Sequence, residues 1–355
     1  MATTIINPPS HTCPVITSSL YSIKASSDQL KILVELVRDP QGDKDCFYST
    51  YLYPYKGVAE LTDVGSIIEE HFRELDKIWD VVEIRFDDAS ASFTAGYCMW
   101  NLDAGFNFSK VFLTAAKASV VHRNSAISLA HLDDGSNEYV ARFVGHDASG
   151  NTKVTQRSFS RSAASNHVSF SVNEILQYAL TASGDEPVLD SVGYFTISHG
   201  SMQKAFYVVD HPFFLTFAFR NIFNAYEYVD VVATVTRKTQ VDCGNVTCEH
   251  TAMQYDRRVE RSYDVSTGPL TDEQVRELEQ LICSHSIKLC ASGHDYDVII
   301  TDHTVEVDNN NEALSTIKFT FRFTSDRPLI VTSDLGALTP DYPRIFSQVF
   351  SAVFE

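Results

Sequence analysis

Cysteine and histidine side chains in the C-terminal third are the residues best suited to bind a metal ion. Structural zinc uses thiolate and imidazole ligands in paired short spacings that converge on one knuckle. The residues concerned are Cys243, Cys248, His250, Cys283, His285, Cys290 and His294. The first three lie in a hairpin-like stretch and the others bracket a predicted helix end. This spacing favours small apolar cysteines with exposed histidines over a zinc site.

The seven cysteines of the chain are dispersed and odd in number, so they do not predict a disulfide framework. A disulfide between Cys243 and Cys248 would require an oxidising, extracellular particle. Nothing in the first ten residues resembles a signal peptide, because no basic start is followed by an apolar run. We therefore expect the chain to be made in a cytoplasm, with most cysteines serving as buried apolar residues.

Acidic side chains form a second set of candidate ligands, in this case for calcium. They are the pairs Asp87-Asp88 and Asp133-Asp134 and the run 308–312, which reads Asp-Asn-Asn-Asn-Glu. None matches an EF-hand loop, which needs alternate acidic positions, a glycine and a closing glutamate. Since Asp, Asn and Gly are the residues that hairpin turns require, we predict solvated turns at these sites.

Catalytic motifs are absent from the sequence. It lacks Gly-x-Gly-x-x-Gly, the phosphate-binding loop, His-Glu-x-x-His and Gly-x-Ser-x-Gly. A carboxylate pair for glycoside hydrolysis stays open, because the separation of such a pair is a spatial quantity. An enzyme of that kind would need a cleft with two facing carboxylates, one of them with a raised pKa. We expect no enzyme activity, no cofactor and no bound metal.

The composition restricts the partners. The 355 residues include 28 Lys and Arg against 46 Asp and Glu, which gives a net charge of −18. A chain this acidic is repelled by phosphate backbones, and no basic cluster offsets the charge, so we expect no sequence-specific binding of nucleic acid. No run reaches about 18 apolar residues, so we expect no membrane insertion. The length predicts two or three domains.

Short alternating segments predict a chain built mainly of β-strands. They are rich in Val, Ile, Phe and Tyr and are separated by turn residues, a pattern that favours antiparallel sandwiches over a parallel α/β sheet. The predicted strands cover residues 30–38, 81–86, 138–144, 192–197, 205–209, 229–236, 298–307 and 317–323.

Two short predicted helices look alike, at residues 61–72 and 170–180. Val64, Ile67, Ile68 and Phe72 repeat as Val172, Ile175, Leu176 and Leu180. Each helix precedes a polar loop and a pair of strands. We interpret this as a tandem duplication of one β-sandwich of roughly 100 residues. Two unrelated sandwiches with a crossover helix would give a similar pattern.

The third part of the chain, which begins near Phe213, combines strands with one longer helix. Thr271 and Gln274 predict a capping box at its start, and residues 275–282 supply an apolar stripe. The complete prediction is a mainly β chain with two tandem antiparallel β-sandwich domains followed by a mixed β domain with one covering α-helix. Its predicted parts are an N-terminal arm (1–13), two sandwiches (14–122 and 123–212), the mixed domain (213–330, helix 271–285) and a C-terminal arm (331–355).

The last thirteen residues, 343–355, carry an apolar stripe that something must cover. It folds back on its own third domain or inserts into a neighbouring subunit, and sequence alone leaves both open. The candidate subunit-docking residues are Ile345, Phe346, Val349, Phe350, Val353 and Phe354.

Four segments, 51–72, 219–228, 263–274 and 318–329, resemble large structural proteins of Bacteroidetes phages and prophages. The shared order is a sheet, a threonine-capped helix, a second sheet and an FTFRF-type strand followed by Arg-Pro. The resemblance implies a distal-tail or ring-like protein in the virion tail, with copies of itself and other tail proteins as partners. It transfers no functional residues, because architecture rather than a site defines that family.

A tandem β-sandwich adhesin that binds a glycan or a receptor is the alternative function. Such a protein would present an aromatic platform on one sheet face. The only two tryptophans are Trp79 and Trp100, which is few for stacking on sugars.

Overall fold

The computed structural model describes residues 3–9, 12–14, 22–27, 29–38, 45–100, 106–132, 137–161, 167–181, 189–211, 214–248, 251–291, 294–306 and 315–325. In these ranges the chain forms 22 strands and three α-helices, so the mainly β fold class is confirmed. Buried and less buried positions alternate along many strands because successive side chains point to opposite faces of a sheet.

The first unit packs two sheets and a helix around one apolar core. Its large sheet has the order β2-β8-β7-β4-β5, and its small sheet has the order β1-β3-β6. Val64, Ile68 and Phe72 of the helix are buried in this core, as their spacing predicts. The elements are β1 (Thr4–Ile5), β2 (Thr12–Pro14), β3 (Ile23–Ser26), β4 (Ile32–Arg38), β5 (Asp45–Leu52), β6 (Val58–Leu61), α1 (Val64–Glu74), β7 (Trp79–Phe86) and β8 (Ala89–Gly96).

The second unit repeats this construction around a core of its own. Its elements are β9 (Ala118–His122), β10 (Ala126–Ala130), β11 (Glu138–His146), β12 (Thr152–Ser160), β13 (His167–Ser171), α2 (Val172–Leu180), β14 (Ser191–His199) and β15 (Met202–Val209). The large sheet has the order β12-β11-β14-β15-β9, and β10 pairs with β13.

The two units agree in strand order and in strand direction. From edge to edge, β2, β8, β7, β4 and β5 of the first large sheet correspond to β9, β15, β14, β11 and β12 of the second, and the parallel pair lies at the same edge of both sheets. The small sheets also correspond, since β3 pairs with β6 and β10 pairs with β13, both antiparallel. This agreement is what a duplicated module predicts.

The edge strands differ from the antiparallel arrangement that we predicted. β2 pairs with β8 in parallel, and β15 pairs with β9 in parallel, so both large sheets are mixed. In each large sheet, the strand that comes first in the chain pairs with the strand that comes last. The chain between these two strands is long enough for a parallel crossover. β9 ends at His122, ahead of the predicted boundary, yet it belongs to the second sheet. Residues of the predicted N-terminal arm form β1 and the start of β2 in the first unit.

The third unit is a seven-stranded antiparallel sheet with one helix. Its elements are β16 (Leu215–Arg220), β17 (Tyr226–Val231), β18 (Ala233–Cys248), β19 (Thr251–Thr267), α3 (Asp272–Cys283), β20 (Ile287–Ala291), β21 (His294–Glu306) and β22 (Thr316–Phe323). The strand order is β17-β16-β20-β21-β22-β19-β18. Val275, Leu278 and Leu281 of α3 are buried in the core that this sheet contributes.

The chain passes directly from one edge strand of the third sheet to the other. β17 and β18 form opposite edges, yet only Val232 separates them in the chain. Because one residue spans about 3.8 Å, the end of β17 and the start of β18 must lie together. The single strand predicted at 229–236 is therefore wrong, since those residues turn the corner between two strands.

The start of α3 is as predicted. The Thr271 side chain accepts a hydrogen bond from the Gln274 backbone N–H, and the Gln274 side chain accepts one from the Thr271 backbone N–H. This capping box satisfies two backbone donors that a helix start leaves unpaired. The helix ends at Cys283, two residues before the predicted end.

Gly145 lies at a β-bulge between β11 and β14, where no side chain fits. A Cβ at this position would lie 1.8 Å from the backbone oxygen of Ser191. We expect Gly145→Ala to lower the free energy of unfolding by about 1–3 kcal/mol, because the two strands must move apart. Chemical denaturation of the full chain measures this loss. Gly193→Ala in β14 is the control, since its Cβ would meet nothing within 4 Å, and equal losses would contradict the steric explanation.

Candidate functional site

The described side chains among those considered as zinc ligands are spread over the third unit, whereas His250 and the side chain of Cys248 lie outside the described part. Cys243 lies in β18 with a free thiol, Cys283 at the end of α3 and Cys290 in β20. Burial, with the nearby Asp295, raises the pKa of the Cys290 thiol to about 12, so this group is protonated. In the part of the chain that the structure describes, no three His, Cys, Asp or Glu side chains are grouped to hold a metal ion.

Asp87 and Asp88 form the turn between β7 and β8, as predicted. Asp87 has a positive φ of 48°, and its carboxylate accepts a hydrogen bond from the Leu33 backbone N–H at 3.1 Å. The Asp88 carboxylate accepts one from the Thr3 backbone N–H at 3.2 Å, and hydrogen bonds from Thr3 lower the pKa of Asp88. These carboxylates therefore tie the turn to β4 and to the N-terminal residues.

Besides His250, three sets of predicted residues lie outside the described ranges, so their roles stay predictions. They are the pair Asp133-Asp134, the run 308–312 and the docking residues Ile345, Phe346, Val349, Phe350, Val353 and Phe354. Of the helices in the described ranges, none is long and apolar enough to cross a membrane.

The turn between β16 and β17 joins the third unit to the first. The Asn221 side-chain oxygen accepts hydrogen bonds from the backbone N–H groups of Phe223 and Ala225, which closes the turn. Asn224 Nδ2 donates to the backbone oxygen of Lys77 in the first unit, at 3.0 Å. Around this turn, one apolar cluster collects side chains from all three units, namely Ile78, Cys98, Phe108, Leu113, Ala130, Phe223 and Ala225.

A buried ion pair joins the second unit to the third. Lys204 of β15 donates to Glu227 of β17, and each side chain is only 2% exposed. The second carboxylate oxygen of Glu227 accepts from the Ala115 backbone N–H at 2.6 Å and from Asn221 Nδ2 at 3.0 Å. Because each charge depends on the other for compensation, the pair holds the two units in one arrangement.

Glu277 of α3 reaches into the same interface. Ser119 Oγ of β9 donates to Glu277 Oε1 at 2.6 Å. Burial raises the pKa of Glu277 to about 8, although the nearby Lys204 ammonium opposes this shift and Glu227 adds to it. The carboxyl group therefore binds a proton at neutral pH, which reduces the cost of placing it beside Glu227.

Asp230 of β17 is a further buried carboxylate at this interface. It accepts hydrogen bonds from the His122 backbone N–H at 2.7 Å and from Thr216 Oγ1 at 2.5 Å. Burial raises its pKa as well. We call Lys204, Glu227, Asp230 and Glu277 together the buried junction.

A cavity of about 200 Å³ borders Asp230 and Glu277, next to the Gly268-Pro269-Leu270 stretch. Two carboxylates, one of them with a raised pKa, are what a glycoside hydrolase would need. Both groups, however, accept hydrogen bonds that cross from the second unit to the third. We therefore interpret the buried junction as a structural connection.

The hairpin of β18 and β19 projects beyond its sheet. β19 pairs with β22 only from Tyr263 to Ser266, whereas β18 and β19 continue to pair out to Cys248 and Thr251. We call residues 239–248 and 251–261 the hairpin arm, in which the ten residues of β18 extend about 30 Å. The neighbouring side chains of Gln240 and Val241 point to opposite faces and are both exposed.

A second unusual surface lies where β5 leads into β6. Tyr51, Tyr53 and Tyr55 are 54%, 72% and 76% exposed. The Lys31 ammonium lies 3.5 Å from the centre of the Tyr51 ring, and that of Lys56 lies 5.2 Å from the centre of the Tyr55 ring. We call these five residues the tyrosine patch.

Sequence reasoning missed the buried junction, and it predicted a hairpin-like stretch around Cys243 and Cys248 without showing that the hairpin projects beyond its sheet. Ser119 and Glu277 are 158 residues apart, so no local pattern marks them as partners. The arm lacks the apolar alternation that predicts a strand, because none of its side chains that the structure describes is buried. Its only signal is a run of Thr and Val residues with β propensity. The tyrosines at alternate positions of 51–55 were visible, but their exposure was not.

Comparison with known proteins does not indicate a function for this chain. No protein-family model matches the chain, and no curated protein matches it either.

Proposed function

We propose that this chain is a structural subunit that assembles with copies of itself into a ring or tube. The observation that carries the proposal is the hairpin arm. A two-stranded ribbon is marginally stable alone in water, and the outer edge of β18 pairs with no strand in the described part of the chain. Its unpaired backbone groups are a template for a neighbouring chain. A contact between subunits would cover them.

The wider role that fits such a subunit is a component of a bacteriophage tail, at the tail tip or distal tail. The buried junction joins the second unit to the third, and the Asn224–Lys77 hydrogen bond and the shared apolar cluster join the first unit to the third. These contacts support the proposal because together they fix three units as one body that can repeat in a symmetric assembly. In this proposal the partners are other tail proteins, the chain is made in the host cytoplasm, and the C-terminal residues add a second contact. The chain performs no catalysis.

Light scattering across a range of concentrations tests the proposal. We expect the full chain to form an oligomer of defined mass. In the matched variant, Asn-Gly replaces residues 241–259, since Gln240 and Glu260 pair directly and a two-residue turn can join them. This variant should keep a cooperative unfolding transition, which shows that it is folded, but remain a monomer. A full chain that is monomeric at every concentration would refute self-assembly.

The tyrosine patch favours the alternative function, a glycan- or receptor-binding adhesin. Three exposed tyrosines supply an aromatic surface that the two tryptophans do not. A glycan array with the full chain tests this alternative. Binding that disappears when Tyr51, Tyr53 and Tyr55 are replaced together would support it.

A further inference from the structure

We propose that the cavity beside the buried junction binds a small organic cation, namely a primary ammonium group on a short apolar chain. The cavity lies between the second and third units, with β9 of the second unit on one side and β17 and α3 of the third unit on the other. A ligand in this cavity contacts both units and therefore strengthens their connection. The proposal does not depend on self-assembly.

The cavity has apolar walls and one buried acidic side. Its volume of about 200 Å³ exceeds the roughly 150 Å³ that holds a benzene molecule, so a ligand of about six non-hydrogen atoms fits. Gly268 and Pro269 border the cavity and are exposed, whereas Asp230 and Glu277 are buried. Apolar walls with a few placed polar groups are typical of a ligand pocket. The apolar side chains include Val120, Val229, Val231, Leu270 and Leu278.

Glu277 contributes a carboxyl group whose hydrogen bonds are incomplete. Its side chain is 1% exposed and forms part of the cavity wall. Ser119 Oγ donates to Glu277 Oε1 at 2.6 Å, but no residue in the described part of the chain donates to Oε2. A buried carboxylate oxygen without a donor is costly. An ammonium group in the cavity would supply both the missing donor and a positive charge.

The charges of the buried junction also favour a cation. Lys204 is its one basic side chain, and the ammonium group of Lys204 donates to Glu227. Asp230 accepts its hydrogen bonds from neutral donors, the His122 backbone N–H and Thr216 Oγ1. The two carboxyl groups at the cavity wall therefore lack a cation of their own. A charge-assisted hydrogen bond from a ligand is stronger than a neutral one.

Other small ligands match the cavity less well. The two carboxyl groups repel an anion. A metal ion needs several ligands, and no three His, Cys, Asp or Glu side chains are grouped for one in the described residues. A neutral apolar molecule would leave Glu277 Oε2 without a donor. An alkylammonium ion satisfies both parts of the cavity, because its chain packs on the valines and leucines and its head group meets the carboxyl groups.

Pentylamine, 1-pentanol and pentanoate test the proposal with the unmodified full chain. They share one apolar chain, but at neutral pH the amine is a cation, the alcohol is neutral and the acid is an anion. We expect pentylamine to raise the melting temperature in a saturable manner, and the other two to raise it less or not at all. An equal rise with 1-pentanol would refute an ammonium site. No rise with pentylamine would refute the binding site altogether.

Glu277→Gln tests where the ammonium group binds. Glutamine keeps the size of the side chain and an oxygen that can accept from Ser119, but it cannot carry a negative charge. The dissociation constant of pentylamine should therefore rise about tenfold or more, as measured by titration calorimetry. Glu279→Gln makes the same substitution two residues away and should leave the constant unchanged. Equal constants for all three proteins, each with a cooperative unfolding transition, would contradict the role of Glu277.

Proton release is a readout that a purely structural role of Glu277 would not change. Burial raises the pKa of Glu277 to about 8, so the free protein carries a proton on this group at neutral pH. The ammonium ion needs the ionised carboxylate, so that proton passes to the buffer on binding. Calorimetry in buffers of different ionisation enthalpy should show about one proton released per pentylamine bound. Binding without proton release would refute the exchange at Glu277.

The pH dependence of binding has a defined sign. Affinity should increase from pH 5 to pH 8, because protons compete with the ligand for the carboxylate. The charged groups that face Glu277 are Lys204 of β15 and Glu227 and Asp230 of β17, and His122 of β9 lies beside Asp230. A protonated His122 also opposes a bound cation at acidic pH. Glu277→Gln should therefore flatten the profile without abolishing it, and identical profiles would contradict the proposal.

Discussion

Lys204→Met should lower the free energy of unfolding by about 3–5 kcal/mol, the largest loss that we expect from one substitution in this chain. The side chain of Glu227 is 2% exposed, and removing the ammonium leaves its charge buried without a cation. The hydrogen bonds from Ala115 and Asn221 remain but do not neutralise that charge. Chemical denaturation of the full chain measures the loss.

The control for this substitution is Lys24→Met. Lys24 pairs with Glu60 at 3.6 Å, but both side chains are more than two-fifths exposed, so water already solvates the charges. Exposed pairs contribute about 0–1 kcal/mol. If Lys204→Met costs no more than Lys24→Met, the ion pair does not hold the second and third units together.

Glu277→Gln should remove a loss of stability that the unmodified chain undergoes as pH rises. The folded pKa of Glu277 is about 8, against an ordinary value of 4.5. Between these values the folded state keeps a proton that the unfolded state has released, so the free energy of unfolding falls with rising pH, by at most about 1.4 kcal/mol per pH unit. The contribution is complete below pH 4.5 and lost above pH 8.

The groups that face Glu277 from neighbouring strands are Lys204, Glu227, Asp230 and Ser119. Asp230 also has a raised pKa, so the variant keeps a smaller slope of the same sign. Burial lowers the pKa of His167, which gives the opposite slope below about pH 6.5. The informative quantity is therefore the difference in melting temperature between the variant and the unmodified chain from pH 5 to pH 8.

Glu279→Gln is the matched control, because it makes the same substitution in the same helix, two residues away, at a side chain that is only partly buried. We expect the control to follow the pH profile of the unmodified chain, whereas Glu277→Gln follows a flatter one. Parallel profiles for all three proteins would show that Glu277 does not exchange its proton on unfolding.

The sequence by itself determined the features that local chemistry controls. The capping box of Thr271 and Gln274 formed because both partners lie within one helical turn. The Asp87-Asp88 turn formed because Asp87 tolerates the positive φ that the turn needs. Alternating apolar residues predicted strands in both sandwich-like units, and the matched helix faces of α1 and α2 pointed to the repeat that the shared strand order supports.

Only the tertiary structure decided where those elements meet. The corner at Val232 and the parallel edge strands β2 and β9 depend on contacts far apart in the chain. The buried junction also depends on such contacts. From sequence alone, Lys204, Glu227 and Glu277 are expected at the surface, because charged residues are rarely buried. The energy of a charge depends on its solvation and on its partners, and both are set by which units pack together. The hairpin arm and the tyrosine patch could be recognised as surfaces only from the structure, because it shows which side chains the fold leaves exposed.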